Sequence, residues 1–276
     1  MVGQATPLFD VRGLRIVYRR PGAKPLEAVR GVDFSLAEGE TLGIVGESGS
    51  GKSTIAKALM LLQPIAGGKV LFCGQDITQL NAAGRRAYRQ DVQMVFQDAA
   101  GSLNPRMTIR QTLAEVLKHT SGGARGRKMT PESLLSLVGL SEAVLDQYPR
   151  ELSGGQCQRV SFARALAAGP RVLVADEPVS ALDVSVQARI LNLLRDLRRN
   201  LNLAVILIAH DLAVVRNVCD RVCVMHHGVF EDAGPAEDVF AHPTSDYTRR
   251  LLDAVPDVSR ALRARKHASE RSGTNE

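Results

Sequence analysis

Apolar and polar residues alternate step by step in "LFDVRGLRIVY" (Leu8–Tyr18) and "AVRGVDFSLAEGE" (Ala28–Glu40). That is the period of strands with one buried face, so both are read as antiparallel strands joined by the loop "RRPGAKP". "TLGIVG" (Thr41–Gly46) is a short apolar strand that runs straight into a glycine-rich loop. "KSTIAKALMLL" (Lys52–Leu62) then has helical spacing and stops before Pro64. "GKVLFCG" and "VQMVFQ" read as further strands. Between Asp98 and about Gly169 the pattern turns helical, with a glycine- and lysine-rich break at Ser121–Met129. "RVLVADEP" (Arg171–Pro178) and "LAVILIAH" (Leu203–His210) are apolar on nearly every position, as strands buried on both faces are. Between them lies an amphipathic helix with Val186, Ile190, Leu193, Leu194 and Leu197 on one face. "RVCVMHHGVFEDAG" is read as a hairpin with Gly228 near its turn, and the tail from about Ser259 is polar and basic. The predicted fold is α/β: a mixed sheet with helices on both faces, an antiparallel β subdomain and an inserted α-helical subdomain.

Composition narrows this little. The 276 residues are 45% hydrophobic and 23% charged, which suits one substantial core and a smaller second one. The net charge of +6 allows nucleic acid, an anionic membrane face or a phosphorylated ligand, but Trp is absent and base stacking is poorly supplied. The longest apolar run, Leu203–Ala209, is far short of the roughly 20 residues that span a bilayer. The first residues lack the pattern of a secretory signal, so a cytoplasmic protein is expected, held at a membrane only by a partner. Cys73, Cys157, Cys219 and Cys223 fit reduced thiols, with Cys219 and Cys223 packed as small hydrophobes at a helix-to-strand junction.

The chemistry starts with "GESGSGKST". Gly46, Gly51, Lys52 and Ser53 fit G-x-x-x-x-G-K-[ST], and the strand and helix on either side are the context of a phosphate loop. Glycines let successive backbone N–H groups face phosphate oxygens, and the helix start adds partial positive charge. Lys52 is expected at the β- and γ-phosphates of a nucleoside triphosphate, with the Ser53 hydroxyl on Mg²⁺. "VLVADEP" places Asp176 and Glu177 at a strand end, where Asp176 would hold Mg²⁺ and Glu177 would orient the attacking water. His210 ends the next strand and is a candidate contact to the γ-phosphate; Gln97 ends another and is a candidate for Mg²⁺ or the water. A second glycine stretch, "LSGGQ" (Leu152–Gln156), has no lysine. Ser153 as N-cap with Gln156 in the capping-box position explains a helix start there, but not two glycines.

Taken in order, "GESGSGKST", Gln97, "LSGGQCQR", "VLVADEP", "SALD" and "LIAHD" resemble the ATP-binding subunits of ABC transporters, over roughly Leu8 to Pro256. "VFQDAAGSLNPRMTI" and "VFAHPTSDYTRRLLDAVP" resemble the oligopeptide, dipeptide and nickel uptake group, and within it the second, F-type ATPase of a two-ATPase importer. Two departures stand out: Cys157 replaces the usual arginine or glutamine after "LSGGQ", and "HPTSDY" is slightly longer than the common form.

The resemblance implies a P-loop ATPase core with ATP and Mg²⁺ as cofactors. Its nucleotide residues would be Gly46, Ser48, Gly49, Ser50, Gly51, Lys52, Ser53, Thr54, Gln97 and Asp176, with Tyr18 stacked on adenine. Ser53, Gln97 and Asp176 would hold the metal, and Glu177, His210, Gln97 and Lys52 would carry catalysis. Ser153, Gly154, Gly155, Gln156 and Asp183, the last in the D-loop Ser180–Asp183, would face a partner subunit's ATP.

Residues 1–97 and 170–242 would form the core, 98–169 the helical subdomain with the signature motif "LSGGQ" (Leu152–Gln156) at the start of its signature helix, and 243–276 a C-terminal extension. Implied partners are a second ABC ATPase subunit in a hetero- or homodimer, two integral membrane permeases and an extracytoplasmic substrate-binding protein, with no nucleic acid. The expected place is the cytoplasmic face of the cell membrane, and the expected cargo an oligopeptide or dipeptide, with nickel chelates or glutathione-like molecules as alternatives. A soluble ABC ATPase acting on DNA, ribosomes or cluster assembly is the second class. The compact insert and single cassette disfavour it. A structural dimeriser without chemistry is the third, disfavoured by the presence of Lys52, Asp176, Glu177 and His210. Relatives with an iron–sulfur cluster carry C-terminal cysteines; none follows Cys223, so no cluster is expected. A thiol at the helix start, Cys157, is expected to have a lowered pKa and to be open to oxidation.

Overall fold

The computed structural model describes residues 6–19, 21–22, 24–120, 129–180 and 182–254, with the backbone alone for Ala213. Most of the Ser121–Met129 break, and the tail from Ser259, lie outside the described residues.

The two alternating stretches are strands β1 (Phe9–Tyr18) and β2 (Leu26–Leu36), paired antiparallel. β2 ends four residues before Glu40 because Ala37–Glu40 close a turn, with the Glu40 carboxylate accepting from the Ala37 N–H at 2.6 Å. β3 (Thr41–Val45) leads through the glycine loop into α1 (Lys52–Leu59). This helix stops three residues short of Leu62, since Leu61 takes a left-handed conformation, φ 56°. β4 (Gly67–Phe72) and β5 (Gln75–Asp76) complete the antiparallel sheet, in the order β2-β1-β4-β5. α2 (Ala82–Asp91), capped by Asn81, precedes β6 (Val92–Val95).

Three helices follow: α3 (Ile109–His119), α4 (Pro131–Leu137) and α5 (Gly154–Leu166). No strand lies among the described residues between β6 and β7 (Val172–Asp176). α6 (Val184–Leu201), β8 (Ala204–Ala209), α7 (Leu212–Arg216), β9 (Arg221–His226) and β10 (Val229–Pro235) follow, then α8 (Ala236–Ala241) and α9 (Asp246–Asp253).

The larger sheet runs β10-β9-β3-β8-β7-β6. All its pairings are parallel except β10 on β9. Its central strands are buried on both faces. Leu173, Ala175, Val205 and Leu207 point into a core shared with α5 and α6. Val172, Val174, Ile206 and Ile208 point into a second core shared with α1 and the antiparallel sheet. Two cores, one per face, are why these strands read as unbroken apolar runs. On α6, Ile190, Leu194 and Leu197 are buried, while Val186 and Leu193 pack at the margin. Cys219 and Cys223 sit inside as small hydrophobes, and burial pushes the Cys223 thiol up to about 12.

Candidate active site

Four parallel neighbours, β3, β8, β7 and β6, end on one edge of the sheet. The edge therefore collects the glycine loop after β3, His210 after β8, Asp176 and Glu177 at the end of β7, and Gln97 after β6. Val45 lies opposite Ala209 and Ile208 opposite Asp176, so these groups share one level.

The glycine loop leaves no room for side chains at two points. A Cβ on Gly46 (φ 149°) would stand 2.0 Å from the Met225 carbonyl, and one on Gly51 (φ 116°) 2.5 Å from that of Ala28. Gly51 is the N-cap of α1 and has no side chain, so none competes for the first N–H groups of that helix. The β9–β10 turn braces the loop from outside, the Gly228 N–H donating to the Ser50 carbonyl at 2.9 Å.

Lys52 is 4% exposed. Its Nζ donates to the Gly46 and Glu47 carbonyls at 2.7 Å each, and to Ser50 Oγ at 3.5 Å. Burial lowers its pKa, opposed by the carboxylates of Glu177, Asp176 and Glu47. Ser53 Oγ donates to Asp176 Oδ1 at 2.9 Å. Asp176 is 6% exposed and its pKa is raised, first by burial. A hydroxyl and a buried carboxylate in contact are hard oxygen donors, a set that suits Mg²⁺.

Glu177 has φ 45°, a left-handed conformation that strains a non-glycine residue. The kink swings its carboxylate across the strand ends. Gln97 Nε2 donates to Glu177 Oε2 at 3.0 Å and to Ser180 Oγ at 3.4 Å, and His210 Nδ1 lies 3.4 Å from the same Glu177 oxygen. Gln97 thus bonds to Glu177 here, rather than to the Ser53–Asp176 pair. A cavity of about 30 Å³ lined by Glu177, Ser180, Ile208 and His210 has room for one water molecule. Tyr18 stands at the end of β1 with its hydroxyl 3.2 Å from Thr54 Oγ1, beside the loop. Ser48 and Gly49 are exposed at the loop tip.

The second glycine stretch starts α5 elsewhere. Ser153 and Gln156 cap each other, Gln156 N to Ser153 Oγ at 3.3 Å and Ser153 N to Gln156 Oε1 at 2.9 Å. Ser153 and Gly154 are exposed. Gly155 has a packing reason of its own, which sequence reading missed: a Cβ there would come within 2.7 Å of Val186 Cγ1 in α6. Asp183 caps α6 through the Val186 N–H at 3.0 Å.

Cys157 corrects the expectation of a reactive thiol. It is 2% exposed, its Sγ faces the Pro149 carbonyl at 3.5 Å, and burial raises its pKa. The side chain lies in the core, where burial outweighs the lowering effect of the Cys157 backbone N–H.

Sequence reading also missed three contacts. Arg164 of α5 donates to the Ser102 carbonyl at 2.5 Å and ties the loop after Gln97 to the signature helix. A groove of about 960 Å³ opens between α2 and α3, lined by Arg85, Arg86, Arg89, Gln93, Glu115 and His119. Tyr247 accepts the Glu47 N–H at 3.1 Å across 200 residues of sequence. Only the "HP…Y" stretch pointed to that region.

Comparison with known proteins identifies the family. The ABC transporter family profile matches residues 29–180. The oligopeptide transport ATP-binding protein OppF of Escherichia coli K12 is 47% identical over 250 residues, 90% of this chain and 75% of that protein. The dipeptide transport ATP-binding protein DppF of Lactococcus lactis subsp. cremoris is 43% identical, over 90% of this chain and 81% of that one. Among solved structures, the dimeric post-hydrolysis state of an ATP-binding cassette bound to ADP and Pi superposes with a TM-score of 0.71 at 29% identity, covering 83% of this chain and 98% of the other. Matched by that profile over more than half its length and by such relatives over about nine-tenths of it, the chain belongs to the ABC transporter family of ATP-binding proteins.

Proposed function

We propose that the chain is the ATP-hydrolysing subunit of an ABC importer for oligopeptides or dipeptides, bound at the cytoplasmic face of the membrane through its permeases. The observation that carries the chemistry is the meeting of Gln97, His210 and Ser180 around Glu177, beside the Ser53–Asp176 pair. The cargo class rests on the names of the relatives, transport proteins for oligopeptides and dipeptides. Among the described residues no helix is long and apolar enough to cross a membrane.

In this reading the Gly46–Thr54 loop binds the phosphates of ATP, Lys52, aimed by the Gly46 and Glu47 carbonyls, meets phosphate oxygens, and Tyr18 meets the adenine. Ser53 and Asp176 would hold Mg²⁺, with Gln97 Oε1 as a further oxygen. Mg²⁺ held there would supply neutralisation of phosphate charge. Glu177 accepts a hydrogen bond from the attacking water and orients it in line with the γ-phosphate. His210 holds the Glu177 carboxylate in place and contacts the γ-phosphate. The exposed Ser153–Gln156 start of α5 and Asp183 complete the ATP site of a second ABC ATPase subunit.

Residues 98–169 serve as the helical subdomain that passes motion to two permeases. Its groove against α2 would take a permease loop, and the Ser102–Arg164 tie carries displacement of Gln97 to the signature helix. An extracytoplasmic binding protein delivers the cargo.

Glu177→Gln tests the site. The amide keeps the size but loses the proton acceptor, so nucleotide binding is expected to stay near wild type while turnover drops by about 10²–10⁴. Unchanged turnover would remove Glu177 from the chemistry.

A further inference from the structure

The phosphate loop is held by the far end of the chain. Gly46 and Glu47 share one peptide unit, which is planar, so its C=O and N–H point opposite ways. The carbonyl accepts Lys52 Nζ at 2.7 Å, and the N–H donates to the Tyr247 hydroxyl at 3.1 Å. One amide therefore joins the lysine to α9. Gly46 cannot be replaced without a clash, so the torsion at this point depends on what grips the peptide.

Tyr247 is itself fixed. It is 6% exposed, and its ring stacks on His226 of β9, centroids 3.8 Å apart and 18° between planes. His226 Nδ1 lies 3.5 Å from Glu231 on β10, and Glu231 also accepts from Ser245 Oγ at 3.2 Å. Asp232 accepts the N–H groups of Thr244 and Ser245 at 3.2 and 3.1 Å. Ser245 caps α9 through the Tyr247 N–H at 3.1 Å. The same hairpin touches the loop directly through Gly228. The hairpin and α9 are thus one bracket that grips the loop at Ser50 and at Glu47.

We propose that Tyr247 is a positioning residue for nucleotide binding: its hydroxyl holds the Gly46–Glu47 peptide, so the C-terminal helix sets the loop's affinity for phosphate. The proposal rests on the Gly46–Thr54 loop being the ATP site. Without the hydroxyl the peptide is free to rotate, and the Lys52 ammonium loses the carbonyl that aims it. A loop that must be ordered on binding has lower affinity than one already ordered.

The test uses the full chain with Tyr247→Phe, which keeps the ring and its stack on His226. Titration with ADP and with ATP is expected to show binding about fivefold weaker, the scale of one lost hydrogen bond. The melting temperature without nucleotide is expected to fall by no more than about 4 °C, the scale of that one bond in a chain this long. Amide exchange at Glu47 is expected to speed up by a similar factor. His226→Ala, which removes the stacking partner and leaves the hydroxyl, should weaken nucleotide binding in the same direction. If Tyr247→Phe binds both nucleotides like wild type, Tyr247 only packs and the proposal is wrong. If it weakens binding only together with a larger fall in melting temperature, the effect is general loosening, and that too overturns it. A wild-type chain that binds neither nucleotide would instead strike the ATP-site reading itself.

Discussion

Burial makes the Asp176 carboxylate costly. Asp176 is buried, its carboxylate is pushed above the usual range first by desolvation, and Ser53 relieves this only in part. A raised folded-state pKa gives stability that is full at acid pH and is lost as pH rises through that pKa. At neutral pH the nucleotide-free protein therefore holds an expensive charge in readiness for a cation. Asp176→Asn keeps an acceptor for Ser53 and removes the charge. The nucleotide-free variant is expected to melt about 2–4 °C above wild type at pH 7–8, the scale of about 1 kcal/mol in a chain this long. The gap should close as the pH is lowered into the ordinary carboxylate range. Addition of Mg²⁺ with ATP should then stabilise the wild type and not the variant. Thermal melts across pH with and without Mg²⁺–ATP measure all three, and a variant less stable than wild type at neutral pH would contradict the desolvation argument.

Between elements, the contact of α5 with α6 decides what the second glycine of the signature stretch does. Gly155 lies where a methyl would press on Val186, a β-branched side chain with little freedom to move aside. Gly155→Ala should cost about 1–3 kcal/mol by overpacking. Val186→Ala should return most of that loss in the double variant, a coupling read from denaturant melts of the four proteins. Strictly additive changes would show that the glycine matters only for its exposed backbone. These packing relations mark the limit of what the chain's pattern discloses. β7 and β8 are legible because both faces of the sheet are covered, leaving no polar position to blur them. The phosphate loop and the Asp176–Glu177 pair are legible because their chemistry is local. α2 is not, since Tyr88 is its only buried residue and a polar helix at a margin has no apolar stripe. Tyr247 and Glu47 are 200 residues apart, and no local rule joins them. Cys157 misleads because position at a helix start says nothing about which way a side chain turns.

The molecule as a whole offers two half-sites. Lys52, Asp176 and Glu177 gather at one sheet edge, whereas Ser153 and Gly154 stand exposed at the start of α5, bonded to their own helix and to no residue of that edge. In the proposed function this helix start, with Gly154 exposed, becomes useful when another subunit brings a bound phosphate to it. Two chains packed head to tail satisfy both needs at once, and a two-fold pair makes the two sites equivalent. Complementation tests this. Lys52→Ala destroys the site on its own chain, and Ser153→Arg destroys the site on the chain opposite. In a homodimer each variant alone has no intact site. A mixed pair has one site built entirely of wild-type parts and one damaged on both sides. Random exchange makes half the dimers mixed, so an equal mixture is expected to recover about a quarter of the wild-type rate. With a sister ATPase as partner, each variant instead keeps one intact site of two and retains part of the rate. Steady-state phosphate release from the single variants and their mixture distinguishes these, and full activity of both variants alone would mean that the signature helix serves no neighbour's ATP.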